Sequence, residues 1–359
     1  MNRLKDPKVF LIALLALSLL ILTLLFLTEK NTGSTPTSPT VPTTLPVDLT
    51  SARSEKLVGI CLPSQPDWTN AGNQLQTQLL AQGYQVKLVY GDGSAEKQAQ
   101  QMLDLIEQGA GCLVVAPVDA FLMMEAAAVA LEKKIPIVSY GSLFMSTEAT
   151  AGYICSDYRK MGQQVAEYVA DKLKLTAAKA EKRVHTVELF MGSPDDYNAM
   201  QFYNGAMSVL ETYLSEEVLE IKSRRTTFES CCVWDWSEEN ARKECTKRLE
   251  NSYADSAPDA CICASDNIAA GVIAALDEKG KTSLVTGNGN TQIGRNNMTA
   301  GKQALTVSTS LEETATACCA MVDWALFGVK SDIAFSSVSN NAVIVPTALC
   351  GFNLIKNDQ

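Results

Sequence analysis

The residues able to do chemistry are unevenly supplied along this chain. One histidine, His185, stands among 359 residues. A nucleophilic triad therefore has a single candidate base, and a multi-histidine metal site has no ligand set. Carboxylates are plentiful, with 40 Asp and Glu against 30 Lys and Arg and a net charge of −10. That balance argues against a nucleic-acid partner, because phosphate-backbone affinity rests on clustered Lys and Arg. Asp119 and Asp266 are the carboxylates a glycosidase would need as its pair, but no other residue supports hydrolysis. Eleven cysteines, an odd number, include the adjacent pairs Cys231-Cys232 and Cys318-Cys319 and the alternating Cys261 and Cys263. No repeated C-x-x-C spacing marks a zinc site. Adjacent Cα atoms, about 3.8 Å apart, are also too close for ordinary disulfide geometry. The cysteines read as small apolar core residues, with one bridge from Cys231 or Cys232 to Cys245 left open. Gly287-Asn288-Gly289 lacks the third glycine of a dinucleotide fingerprint, Gln292 standing in its place. The pattern requires neither cofactor nor metal.

What the chain does offer is a set of polar side chains and indoles at recurring places. Pro63 to Trp68, with Asp67, follows one apolar run; Pro117-Val118-Asp119 follows another; Gly141-Ser142 a third. Further along, Gly192-Ser193-Pro194-Asp195-Asp196-Tyr197-Asn198, Ser265-Asp266-Asn267 and Gly287-Asn288-Gly289-Asn290 do the same. Asp, Asn and Ser are also the favoured helix N-caps, so any one of them has a purely structural explanation. Enrichment at six successive positions points instead to a cleft for a small polar ligand.

The elements carrying those positions alternate. Strand-length apolar runs fall at 57–62, 86–90, 112–116 and 135–140, separated by amphipathic patterns at about 68–82, 96–107 and 122–132. The order then repeats, with strands at 184–190, 218–222, 260–264 and 283–286 and helices at about 198–213, 238–252 and 267–278. Strand–helix–strand alternation implies parallel sheets with helices on both faces. We expect an α/β chain of two doubly wound lobes, with ligands at the carboxyl ends of the strands.

The first fifty residues differ. Residues 9–27 are apolar except for Ser18 and Thr23, preceded by Arg3, Lys5 and Lys8. Nineteen residues at about 1.5 Å each just span a bilayer core of roughly 30 Å. The basic flank keeps the amino end, 1–8, in the cytoplasm and exports the remainder. No A-x-A site and no cysteine follow, so the segment is expected to be an uncleaved transmembrane anchor, with a cleaved signal as the alternative. Residues 28–54, rich in Pro, Thr and Ser, are expected to form an extended linker.

From Val187 through Asp195-Asp196-Tyr197-Asn198-Ala199 to Leu210, the chain resembles the type I periplasmic sugar-binding proteins of ABC transport, in their multiple-sugar and xylose-binding branch. The likeness extends over about 56–355. It implies two Rossmann-like lobes joined by a three-strand hinge and closing on a monosaccharide. The expected lobes are 55–157 plus about 288–308, and 158–287 plus about 309–359. The resemblance makes Trp68 and Trp236 the aromatic platforms of the two lobes, since an indole can stack on the apolar face of a pyranose. It places Asp119, Asp157, Asn198 and Asp266 where the family has ligand-facing or hinge residues, and Asp67, Ser142 and Asn288 are further ligand candidates at strand ends. Departures are also present. An Asp-Arg pair of the family is Gly141-Ser142 here, an Arg is Asp67, an Asn is Tyr158, and a Gln-Asp pair is Asn288-Gly289. The implied partners are a sugar and either an ABC transporter permease or a sensor histidine kinase. A degenerate module with a non-sugar ligand is the alternative that the lost arginines suggest.

Overall fold

The computed structural model describes residues 49–64 and 66–357, apart from the side chains of Pro66 and Asp67. The predicted anchor at 9–27 and the linker up to residue 48 lie outside the described residues. No helix among the described residues is long and apolar enough to cross a membrane.

The chain enters through α1 (Leu49–Ser54), within the span predicted as linker. Arg53 fixes this helix, reaching Asp323 through paired hydrogen bonds of 2.9 and 2.6 Å. The linker reading therefore fails for 49–54, because a forked ion pair, together with Tyr84 bonding the same carboxylate at 2.6 Å, ties the turn to the body. There follow β1 (Leu57–Leu62), α2 (Pro66–Ala81), β2 (Gln85–Tyr90), α3 (Ala95–Glu107), β3 (Ala110–Val115), α4 (Met124–Glu132), β4 (Ile137–Tyr140) and β5 (Thr150–Ser156). The chain then runs through α5 (Tyr158–Lys172), α6 (Leu175–Glu181), β6 (His185–Phe190), α7 (Tyr197–Ser215), β7 (Leu219–Glu220) and α8 (Phe228–Cys231). A 3₁₀ turn at Trp234–Trp236 leads to α9 (Glu238–Ser252), β8 (Ala260–Cys263), α10 (Asp266–Glu278), β9 (Leu284–Thr286), α11 (Gln292–Thr299) and β10 (Leu305–Thr309). Last come α12 (Leu311–Phe327), β11 (Phe335–Ser339), β12 (Ile344–Cys350) and β13 (Phe352–Lys356).

Among the described residues these strands form two sheets, ordered β11-β12-β5-β4-β3-β1-β2 and β13-β10-β9-β8-β6-β7. Pairing is parallel except for the edge pairs β11–β12 and β10–β13. The central strands are buried on both faces, as in the pattern of β3 and β4, and so read as continuous apolar runs. Each sheet is covered on both faces, with apolar clusters centred on Val58, Ile60 and Val114 in one lobe and on Val187, Leu189 and Ile262 in the other.

The chain passes between the sheets three times: at Asp157 between β5 and α5, at Ser310 between β10 and α12, and at Gly351 between β12 and β13. This corrects the expected lobe membership of two segments. Residues 288–308 belong to the second lobe, because β10 pairs with β9 and β13. Most of 309–359 belongs to the first, because α12 packs on α2 and β5 and because β12 pairs with β5. The local sequence of α12 does not say which sheet the helix covers, because that is decided by long-range packing.

Candidate functional site

The carboxyl ends of β1, β3, β4, β5, β6, β8 and β9 carry the residues singled out from the sequence. At the end of β4 the chain turns at Gly141, with φ of +75°. A Cβ there would lie 2.6 Å from Cη2 of Trp68, so the indole rests directly over this glycine. Trp68 stands in the first turn of α2 and meets the Tyr140 ring edge-on, with centroids 6.3 Å apart. Ser142 is half-buried beside it.

The second lobe repeats the device. A Cβ on Gly192 would lie 2.1 Å from Cζ2 of Trp236. Trp236 is brought there because residues 231–233 pair with the chain leaving β6: Met191 N donates to the Cys231 carbonyl at 2.8 Å and Val233 N to the Met191 carbonyl at 3.0 Å. The chain then reverses through two left-handed residues, Asp235 at φ +58° and Trp236 at φ +52°. This conformation is unfavourable for side chains other than glycine. Ser193 holds the reversal by accepting from Asp235 N at 2.9 Å.

Hydrogen bonds from the start of α7 link the two lobes beside the platforms. Asp196 caps α7, accepting from Asn198 N at 2.7 Å and Ala199 N at 3.1 Å. The Trp236 side chain lies close enough to the Asp196 carboxylate to lower its pKa slightly. Burial raises the Asp196 carboxyl above its ordinary pKa, an effect opposed by the two backbone donors and the indole. From the same turn of α7, Asn198 Nδ2 donates to the Gly141 carbonyl in the other lobe at 2.6 Å. Its Oδ1 accepts from the Tyr153 hydroxyl at 2.7 Å.

The remaining predicted residues take different places. Asp157 caps α5 at the first crossing, accepting from Lys160 N at 3.0 Å. Asp119 forms a turn after β3, its Oδ1 accepting from Phe121 N and Leu122 N at 2.9 and 3.1 Å. Asn288 is half-buried at the end of β9 and donates to the Ala264 carbonyl at 3.2 Å. The Asp67 side chain lies outside the described residues. Asp266 does not fit the hydroxyl-reading role. It is fully buried, and both oxygens are occupied: Oδ1 by Gln303 at 2.7 Å and Thr306 at 2.8 Å, Oδ2 by Thr291 N and Oγ1 at 2.8 and 3.1 Å. With all four donors supplied by its own lobe, Asp266 is a structural knot.

The partners Tyr153, Asp196 and Ser193 were not among the predicted site residues. Asp196 was visible as one of the polar residues after a strand. Tyr153 lies on β5, whose irregular pattern gave no strand signal.

All eleven cysteines are free thiols. The bridge from Cys231 or Cys232 to Cys245 is not formed. A cavity of about 380 Å³ opens beside the crossings rather than between the indoles, lined by Ser310, Glu313, Ile333 and Cys350 among others.

Two sheets joined by three crossings, with paired aromatic platforms at facing strand ends, define a two-lobed solute-binding protein. Residues 58–329 match the periplasmic binding protein domain, and the chain belongs to that family. Over 308 residues it is 29% identical to the multiple sugar-binding periplasmic protein SbpA of Azospirillum brasilense, covering 84% of this chain and 85% of that one. It is also 29% identical to the multiple sugar-binding periplasmic receptor ChvE of Rhizobium radiobacter, over 83% of this chain and 86% of that one. Among solved structures, an ABC transporter solute-binding protein from Clostridium phytofermentans with bound β-D-glucose is 31% identical, with a TM-score of 0.77, covering 84% of this chain and 94% of that chain. This is a family of solute-binding transport proteins, not enzymes.

Proposed function

We propose that this chain is an extracytoplasmic receptor that closes on a monosaccharide, a pentose or hexose, and presents it to an ABC transporter permease. The observation that carries this reading is the pair of indoles, one from each lobe, each laid over a strand-end glycine. An indole face suits the apolar face of a sugar ring, and the polar groups around it suit the ring's hydroxyls. The names of the relatives, both multiple sugar-binding proteins, and the glucose in the Clostridium structure support the same ligand class. Around Trp68 and Trp236 we place Asp67, Asp119, Ser142, Asp157 and Asn288 as the residues nearest the ligand. No bond is made or broken; closure is driven by the ligand's greater affinity for the closed lobes.

We place the receptor on the membrane through residues 9–27, with the lobes exported. The nineteen-residue apolar run and its basic flank support this reading. An anchored receptor suits a dedicated permease, and it suits a sensor histidine kinase as a second partner. Calorimetry of the full chain against D-glucose, D-xylose, L-arabinose and myo-inositol tests the binding. At least one sugar is expected to bind, and Trp68→Ala and Trp236→Ala are each expected to weaken that binding at least tenfold. Binding unchanged in the double variant refutes the site. Alkaline carbonate extraction of membranes tests the anchor, which predicts that the chain stays in the pellet.

A further inference from the structure

We infer that Asn198 is a clasp between the lobes, a positioning residue that sets how much of the protein is closed before any solute arrives. A side-chain amide has one acceptor oxygen and two donor hydrogens. Here the oxygen accepts from Tyr153 on β5, and one hydrogen goes to the carbonyl of Gly141 at the end of β4. The Tyr153 hydroxyl lies 3.2 Å from that same carbonyl, which closes a triangle. Tyr153 is fully buried and Asn198 is 5% exposed, so water does not compete for these bonds. Burial also pushes the Tyr153 hydroxyl well above its ordinary pKa, keeping it a donor.

Both partners of Asn198 belong to the first lobe, while Asn198 itself rides on α7 of the second. Among the described residues the chain passes between the lobes only at the three crossings, and an opening that carries the start of α7 away from the end of β4 must break these bonds. The clasp therefore exists in the closed arrangement alone. Tyr158 and Tyr197 pack against the cluster of Leu143, Tyr153, Cys155 and Val345, and so shield the clasp from solvent.

The clasp also reaches both platforms. Gly141, whose carbonyl it holds, is the residue beneath Trp68. Asp196, which caps the turn carrying Asn198, lies beside the Trp236 side chain. The clasp thus joins the two strand ends on which the indoles lie. Asn198 would then govern affinity without touching the ligand, because apparent affinity scales with the fraction of molecules already closed. The affinity arm of this inference rests on the proposed sugar binding; the conformational arm does not.

The test uses the full chain carrying two spin labels on genetically encoded, non-cysteine side chains at the exposed positions 133 and 243, one on each lobe. Interlobe distances are measured by pulsed electron resonance without any sugar. Tyr153→Phe, which removes one hydroxyl from a site of unchanged shape, and Asn198→Ala are both expected to shift the population toward longer distances. With D-glucose as the probe, both are expected to weaken binding by a similar factor, roughly three- to tenfold, as for loss of one buried hydrogen bond. A ligand-free distance distribution unchanged in either variant overturns the clasp. If the parent chain binds no glucose, the proposed ligand fails while the distance measurement still decides the clasp.

Discussion

At the scale of single residues, the site depends on two hydrogens where other residues would carry a Cβ. Gly192 lies under Trp236 so closely that alanine would put a carbon 2.1 Å from the ring, a distance no packing tolerates. Gly192→Ala should therefore displace the indole while leaving the buried sheet intact. We predict roughly tenfold or greater loss of sugar affinity by calorimetry, the order of one aromatic stacking interaction with its buried area. The loss should come with little change in thermal midpoint. Asp266 behaves in the opposite way. Its residue type and its place after a strand made it a credible ligand contact, but four protein donors converge on it. Asp266→Leu strands those donors in the interior and should cost about 3 kcal/mol or more of unfolding free energy in urea titrations. Asp266→Asn should cost less and leave affinity unchanged at low denaturant. Affinity lost in Asp266→Asn without loss of stability would return this carboxylate to the ligand. The residue types at strand ends were legible in the sequence. Which of them aim inward was not, because an N-cap, a buried knot and a ligand contact draw on the same amino acids.

At the scale of elements, legibility followed periodicity. The central strands announced themselves as continuous apolar runs, and helices such as α3 and α10 by their stripes and Ser caps. The elements that build the crossings did not. β5 reads Thr-Ala-Gly-Tyr-Ile-Cys-Ser, too mixed to separate from loop, and β12 carries Pro346. β13 is an edge strand with no fully buried residue, so it lacks the apolar signal altogether. Lobe membership was lost with them, since it is fixed by long-range pairing rather than by local pattern. The joint between α5 and α7 shows another feature hidden from sequence. A Cβ on Gly162 would lie 1.9 Å from the Phe202 carbonyl oxygen, so the two backbones touch. A backbone cannot move aside as a flexible side chain can. Gly162→Ala should push apart the helix that begins at the Asp157 crossing and the helix that carries Asn198. The expected outcome is a destabilisation of about 1–3 kcal/mol in denaturant titrations together with weaker binding, in contrast to Gly192→Ala, where only binding falls.

At the scale of the whole molecule, the most unusual property is a population of eleven free thiols, ten of them buried. Burial pushes Cys61, Cys112, Cys155, Cys232, Cys245, Cys319 and Cys350 up to about 12 from an ordinary 9.0. Cys231 rises to about 11, and Cys261, Cys263 and Cys318 go well above their ordinary value. A folded-state pKa raised above the unfolded value stabilises the fold below the unfolded pKa. That stability is lost as pH rises, because the unfolded chain ionises first. Between pH 9 and 11 each fully buried thiol among them lowers stability by up to about 1.4 kcal/mol per pH unit, and the half-buried Cys232, screened by solvent, by less. A handful acting together would exhaust the 5–15 kcal/mol typical of a native fold within one or two units. The urea midpoint should therefore be nearly flat from pH 7 to 8 and fall steeply above pH 9. Cys112→Ala should reduce the alkaline slope by about one proton per unfolding event. At pH 8 a thiol reagent should react slowly with the native chain, Cys232 first because it alone is only half-buried, and should count eleven thiols after unfolding. A native chain that reacts rapidly at several thiols, or a midpoint flat to pH 10.5, would show that these thiols are not held protonated by the core. The reading of the cysteines as core filling thus carries a cost that appears only when the solvent is alkaline enough to draw a proton from the unfolded chain.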